Sequence, residues 1–236
     1  LTFEQTRKSA ETYLEQATKI LDKNKTRIAF NSEWLSKMNF EEVIRLASKY
    51  TVARLMERDD FKNRFENNLP LSMHELLYPL MQGYDSVELK ADIEIGGTDQ
   101  TFNLLVGREL QKDYGQDSQV VMTFPLLVGL DGKEKMSKSL DNYIGLTDSP
   151  FEKFEKSMKI PDEVLRQYFE LATDLPIEKI DRIMEKDIRI AHMEFARELL
   201  KMYDDEDEFE KLKSRYENIA KGNIPDNIEQ IKINED

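Results

Sequence analysis

Apolar and polar positions along the chain alternate in two ways, first mixed and then purely helical. Over residues 2–22, Phe3, Ala10, Tyr13, Leu14, Ala17, Ile20 and Leu21 recur at helical spacing. Thr2 and Gln5 make a capping-box pattern at its start. Residues 27–30 read as a short strand, and Asn39 as the cap of a helix running through Val43, Ile44 and Ala47. Charge-dense residues 51–67 read as further short helices. Ser72 opens a helix over 73–86, inside which Pro79 removes one backbone donor and predicts a kink. Val87, Leu89, Ala91, Ile93 and Ile95 then alternate with Glu88, Lys90, Asp92 and Glu94, the period of a strand. Gly96-Gly97 ends that strand, Thr98 or Asp99 begins a helix to about Lys112, and residues 120–124 form another strand. Beyond Pro150 the pattern is helical throughout, over 150–158, 162–171, 176–186, 188–203 and 207–220. Strands alternating with helices, followed by helices alone, predict an α/β domain with a small helical one after it.

Composition narrows the class. The chain has 236 residues, 39% hydrophobic and 34% charged, enough for a sizeable domain and a smaller one. No apolar run approaches the ~18 residues a membrane span needs, and no basic-then-apolar leader stands at Leu1. The absence of cysteine excludes disulfides, thiolate catalysis and Cys-based zinc sites and suits a reducing compartment, so the cytoplasm is the expected location. A net charge of −13 argues against a general nucleic-acid binder. Acidic residues also outnumber basic ones over 151–236, so RNA contacts must come from local patches or from sequence outside this chain. The opening on Leu1 rather than methionine is expected to reflect missing preceding sequence. The acidic run 204–210 reads as a solvated helix start.

Three segments carry candidate chemistry. Tyr78, Gln82 and Asp85 share one helix face at i, i+4, i+7, while Met73, Leu77, Leu80 and Tyr84 form an apolar stripe facing the core. On the pattern alone that helix reads as plainly amphipathic, a reading weakened by the neutral Tyr and Gln, which leave a ligand face open. Residues 93–100 form a strand, a Gly-Gly turn and a helix start. This junction is either an ordinary tight turn capped by Thr98 or Asp99, or a ligand site beyond a strand's carboxyl end. Residues 135–139 read Lys-Met-Ser-Lys-Ser after Asp131-Gly132. Lysines on flexible stems among hydroxyls suit a mobile clamp on polyphosphate, and Pro125 to Gly129 could form an apolar shelf for a flat base.

In order and interval, Tyr78-x-x-x-Gln82-x-x-Asp85, Ile95-Gly96-Gly97-Thr98-Asp99-Gln100 and Lys135-Met136-Ser137-Lys138-Ser139 together resemble the bacterial tyrosyl-tRNA synthetases, class I aminoacyl-tRNA synthetases. Asn31-x-x-Trp34 and the helical tail are also similar, so the resemblance covers essentially the whole chain. It implies part of a Rossmann-like catalytic domain over 1–149, including the lysine loop at 131–141. A helical domain would follow over 150–220, with 221–236 a linker toward an RNA-binding module. The reaction implied is activation of L-tyrosine by ATP to tyrosyl-AMP and transfer to tRNA(Tyr).

The resemblance also assigns roles. Asp85 would accept from the substrate phenol, Tyr78 and Gln82 would hold the α-amino group, and Gln100 would meet the carboxylate. Gly96, Gly97 and Asp99 would bind the adenylate at its ribose, and Leu127 and Val128 would flank adenine. Lys135, Lys138 and Ser139 would act on the pyrophosphate leaving group. Mg2+ would arrive with ATP, with no protein cage for it. A homodimer is implied, with Met73 and Leu77 either at its interface or in the core.

Three departures qualify this. The family's His-Ile-Gly-His-like segment and first strand are absent and would precede Leu1, the C-terminal RNA-binding module is absent, and many members carry Phe-Gly where Met136-Ser137 stands. The isolated chain is therefore expected to lack adenylation activity. The alternatives are a tryptophanyl-type enzyme and a non-catalytic synthetase-like module that binds RNA or regulates. His74 and His192 lack ligand-spaced partners and read as structural, and Trp34 reads as packing.

Overall fold

A computed structural model describes residues 3–222. It resolves into two compact units, one of Arg27–Leu126 and one of the described residues that flank it on both sides.

The Arg27–Leu126 unit is built on a parallel strand pair. Helices α2 (Ser32–Leu35), α3 (Phe40–Ala47), α4 (Val52–Leu55) and α5 (Asp59–Glu66) lead to α6 (Met73–Leu89). Strand β1 (Ile93–Gly97), helix α7 (Thr101–Asp113) and strand β2 (Val120–Phe124) follow as a crossover unit. Ile93 stands opposite Val120 and Gly97 opposite Phe124. Parallel strands need such a crossover, since a tight hairpin cannot join them. Asn39 closes a full capping box with Glu42 at α3, and Ser72 does so with Glu75 at α6. The core under these elements is Leu46, Leu80, Val87, Val106 and Leu110. Leu77 and Tyr84 pack against it as their stripe predicts, but Met73 is 76% exposed.

Two expectations are corrected in this unit. Residues 27–30 form no strand, because among the described residues no other strand pairs with them in a ladder, and extended residues become a strand only through one. The strand expected from Val87 starts only at Ile93. Val87 and Leu89 belong to α6, where Val87 joins the core, and the helix stops because Lys90 adopts the left-handed conformation at φ 49°. The strand's alternation also faces the opposite way from a half-buried one. Ile93 and Ile95 are 56% and 64% exposed, whereas the Glu94 carboxylate turns inward to accept from Ser86 Oγ (2.7 Å) and from the Gln119 amide.

The other unit carries α1 (Phe3–Ala17), the lysine loop, and helices α8 (Pro150–Ser157), α9 (Asp162–Ala172), α10 (Ile177–Met184), α11 (Ile188–Tyr203) and α12 (Phe209–Ala220). α1 ends at Ala17, short of the 22 expected; residues 18–20 continue as a turn. The Thr2–Gln5 capping pattern rests on Thr2, which lies outside the described residues, as does the 223–236 part of the expected linker. Leu165, Phe169, Ile180 and Phe195 are fully buried in one cluster, Phe154, Ala196 and Leu200 in another. Each of these leucine, isoleucine and phenylalanine side chains contributes roughly 1.5–3 kcal/mol on burial. His192 is buried and bonds the Ser157 carbonyl and the Asp162 carboxylate, both at 2.9 Å, tying α8 to α9, the structural role expected of it. Asp204, expected in a solvated run, instead pairs with Lys153 at 2.8 Å, where the lysine is 2% exposed and the carboxylate 15%.

Candidate active site

Helix α6 positions the first set of groups. Asp85 lies half-buried three residues from Gln82 and seven from Tyr78, so all three project along one side of the helix. The Asp85 carboxylate accepts from the indole Nε1 of Trp34 at 2.8 Å and from the Asn31 amide at 3.4 Å. Burial pushes the Asp85 carboxyl above its ordinary value; the Trp34 and Asn31 hydrogen bonds pull it down, and the negative charge of Glu94 pushes it up. Trp34 was expected to be packing and is a donor to the candidate acceptor. The signal was available as Asn31-x-x-Trp34, two donors about one helical turn apart, but their target is distant in sequence.

The second set sits at the carboxyl end of β1. Gly96 and Gly97 are the last strand residues, and a 3-10 turn over Thr98–Gln100 leads directly into α7. Neither Thr98 nor Asp99 caps α7, so an N-cap does not account for these residues. A Cβ at Gly97 would come within 2.6 Å of the Leu126 side chain and 2.7 Å of Asp99 Oδ1, so the turn admits no larger residue without movement. Asn103, which the sequence did not single out, is buried and donates from Nδ2 to Gln100 Oε1 at 3.1 Å. That bond leaves the Gln100 Nε2 as a donor for another acceptor.

The third set lies in the other unit, on a hairpin. Val128 and Lys135 form an antiparallel bridge, Met136 N–H donates to Leu127 O at 2.7 Å, and Gly129 N–H donates to Glu134 O at 2.7 Å. Leu127 and Met136 pack on the helical cluster. The Tyr168 hydroxyl donates to Val128 O at 2.6 Å, and burial pushes it up to about 12, so it stays a donor at neutral pH. Lys135, Lys138 and Ser139 are exposed, with Lys138 and Ser139 in a 3-10 turn capped by the Ser137 hydroxyl on Leu140 N–H (3.3 Å). The structure thus gathers Tyr78, Gln82, Asp85, Gly96, Gly97, Asp99 and Gln100 in one unit and Leu127, Val128, Lys135, Lys138 and Ser139 in the other. Among the described residues no group of three or more His, Asp or Glu could hold a metal ion.

A crossover of parallel strands, ligand-type groups at the strand ends and a lysine hairpin joined to helices define a mixed α/β protein of the class I synthetase type. The chain belongs to the family of class I tRNA synthetases (W and Y), whose sequence profile matches residues 2–221. It is 54% identical over 235 residues to the tyrosine–tRNA ligase of Deinococcus radiodurans, covering 99% of this chain and 57% of that protein. To the tyrosine–tRNA ligase of Moorella thermoacetica it is 49% identical, over 97% of this chain and 57% of the relative. The chain thus spans little more than half the length of these relatives. Its fold is similar to the crystal structure of an Archaeoglobus fulgidus tyrosyl-tRNA synthetase complexed with L-tyrosine, at a TM-score of 0.68 and 24% identity, covering 89% of this chain and 74% of that one.

Proposed function

We propose that the protein carrying this chain is a tyrosine–tRNA ligase, converting L-tyrosine and ATP to tyrosyl-AMP and pyrophosphate and passing the tyrosyl group to tRNA(Tyr). The observation that carries this reading is the Asp85 carboxylate, half-buried beside Tyr78 and Gln82 and held by Trp34 and Asn31. Such an acceptor suits a phenol hydroxyl. A phenylalanine in place of tyrosine denies the half-buried carboxylate that third donor, at about 1–3 kcal/mol. Tyr78 and Gln82 take the α-amino group and Gln100 the carboxylate, with Asn103 orienting its amide. Gly96, Gly97 and Asp99 take the adenylate, and Leu127 and Val128 flank its base.

In the first step a tyrosine carboxylate oxygen attacks the α-phosphorus, and the bond to the β-phosphate bridging oxygen breaks. No protein nucleophile is needed; the work is alignment and stabilisation of departing charge. Lys135, Lys138 and Ser139 serve that charge. Mg2+ enters with ATP, and the described residues contain no cluster to ligate it. Residues 1–149 are taken as the catalytic part and 150–220 as the helical domain, a functional division that cuts across the two compact units, since the described residues before Arg27 and those from Leu127 to Ser149 group with the helices. A homodimer is the proposed assembly, with the exposed Met73 as its candidate contact. No described helix is long and apolar enough to cross a membrane, and the cytoplasm is the proposed location.

The tyrosine assignment is favoured over tryptophan by the 49–54% identity to tyrosine enzymes. Tyrosine-dependent ATP–pyrophosphate exchange by the complete protein tests it. Exchange with tyrosine and little with phenylalanine or tryptophan is expected; calorimetric preference for tryptophan over tyrosine overturns it.

A further inference from the structure

Asn142 follows the lysine loop and is 6% exposed. Its side chain reaches both sides of the hairpin. Oδ1 accepts from Ser137 N–H at 2.8 Å; Nδ2 donates to the Lys135 carbonyl at 3.2 Å and to the Asp131 carboxylate. Its backbone carbonyl accepts from Leu130 N–H at 2.9 Å. The partners leave the amide one orientation, because Ser137 N–H can only donate while the Lys135 carbonyl and Asp131 carboxylate can only accept. Asp131 in turn accepts from Lys133 N–H (2.8 Å) and Glu134 N–H (2.7 Å) through its other oxygen. Gly129 lies directly beneath: a Cβ there would overlap the Asn142 amide. The backbone on either side of Met136 is therefore pinned by one amide, which in turn is oriented by one carboxylate.

We propose that Asn142 is a positioning residue for the lysine loop, its amide bridging Asp131, Lys135 and Ser137 so that Lys135 and Lys138 project from a fixed hairpin. Asn142 touches neither ATP nor tyrosine in this role; it acts through the backbone that carries the lysines. The inference rests on the loop's part in the reaction proposed above. It assigns Asp131 a role as well, since a carboxylate there selects an amide rather than an acid at position 142.

Four proteins test it: the complete protein, Asn142→Ala, Asn142→Asp and the exchange Asp131→Asn/Asn142→Asp. In Asn142→Ala, kcat for tyrosine-dependent ATP–pyrophosphate exchange is expected to fall about 100-fold, the scale of a misplaced catalytic group. Tyrosine KM should hold, and the thermal midpoint should fall by only a few degrees, about 2–4 °C per kcal/mol of lost bonding. Asn142→Asp sets two carboxylates in contact and should lose at least as much. The exchanged pair restores a donor facing an acceptor and should recover about 10-fold over Asn142→Asp alone, the worth of a recovered hydrogen bond. The recovery is incomplete because the Lys135 carbonyl lacks its donor. A kcat within about twofold of the parent in Asn142→Ala overturns the proposal. So does a loss matched by tyrosine KM or accompanied by a larger fall in thermal midpoint, or a double variant no better than Asn142→Asp. If the parent itself shows no tyrosine-dependent exchange, the proposed function fails separately. Amide hydrogen exchange then decides: Ser137, Lys133 and Glu134 must lose protection in Asn142→Ala while the α8 to α12 amides keep theirs, and unchanged protection overturns the inference.

Discussion

Burial raises the Asp85 carboxyl while Trp34 and Asn31 restrain it, so the donors that hold the side chain also keep it ionised. A phenol needs the ionised form as its acceptor. Because the pKa is raised, tyrosine affinity should fall with decreasing pH sooner than an ordinary aspartate near 3.8 would predict. Trp34→Phe removes the larger downward influence, so the acid limb of tyrosine binding should move to still higher pH. Calorimetric titrations of both proteins between about pH 4 and pH 8 check this, and coincident limbs would contradict it. Gly97→Ala is expected to abolish tyrosyl-AMP formation while leaving the fold, since its Cβ would press on Leu126 and Asp99; single-turnover adenylate formation with circular dichroism separates the two. At this scale the sequence was legible where motif residues stand close together. It was not legible where one partner comes from elsewhere, as with Trp34 for Asp85 or Asn103, which signals nothing alone.

Elements are joined by a few charged contacts whose strength depends on their surroundings. Arg64 on α5 meets Glu75 in the first turn of α6 at 2.5 Å, and Glu75 also accepts from Ser72 N–H at 3.0 Å. The Arg64 hydrogen bond, then the Ser72 one, hold the Glu75 carboxyl down to about 2. A depressed carboxylate stabilises above its unfolded value near 4.5, and that contribution drains away as pH falls through about 2. The acid denaturation of Arg64→Ala should therefore begin at higher pH than the parent's, read by circular dichroism. Lys153 and Asp204 join α8 to the end of α11 out of water. Asp204→Ala leaves the ammonium buried and unpaired and should destabilise by about 3–5 kcal/mol in urea, whereas Lys153→Met/Asp204→Leu should lose much less. Capping signals at Asn39 and Ser72 made two helices legible, whereas α8 was read without the full box that Ser149 makes with Glu152. The start of β1 was misread because Val87 and Leu89 satisfy strand and helix periods alike, and only the packing of Val87 on the α6–α7 core decides between them.

Across the whole molecule, the mixed α/β character followed by helices was readable from periodicity, since both periods recur over long stretches. The facing of the strands was not. Ile93, Ile95, Val120, Met122 and Phe124 are each 43% or more exposed in this chain, a facing that alternation alone does not fix. Such an apolar sheet face promotes association. Ile95→Thr with Met122→Thr should raise the concentration at which the 236-residue chain stays monodisperse by light scattering, and an unchanged limit would show that the face is not the cause. Behind that face, Ser86, Glu94 and Gln119 share hydrogen bonds, and Gly107 lacks a Cβ where the Ser86 hydroxyl sits. In a mutational library these four positions would not behave as independent letters. A methyl at 107 loses its worst clash once position 86 has given up its hydroxyl, though Gln119 Nε2 at 3.0 Å must still give way, and that loss removes a donor to Glu94. Drift through this region would thus run along a ridge of paired changes, with epistasis measurable as single variants that fail and doubles that survive.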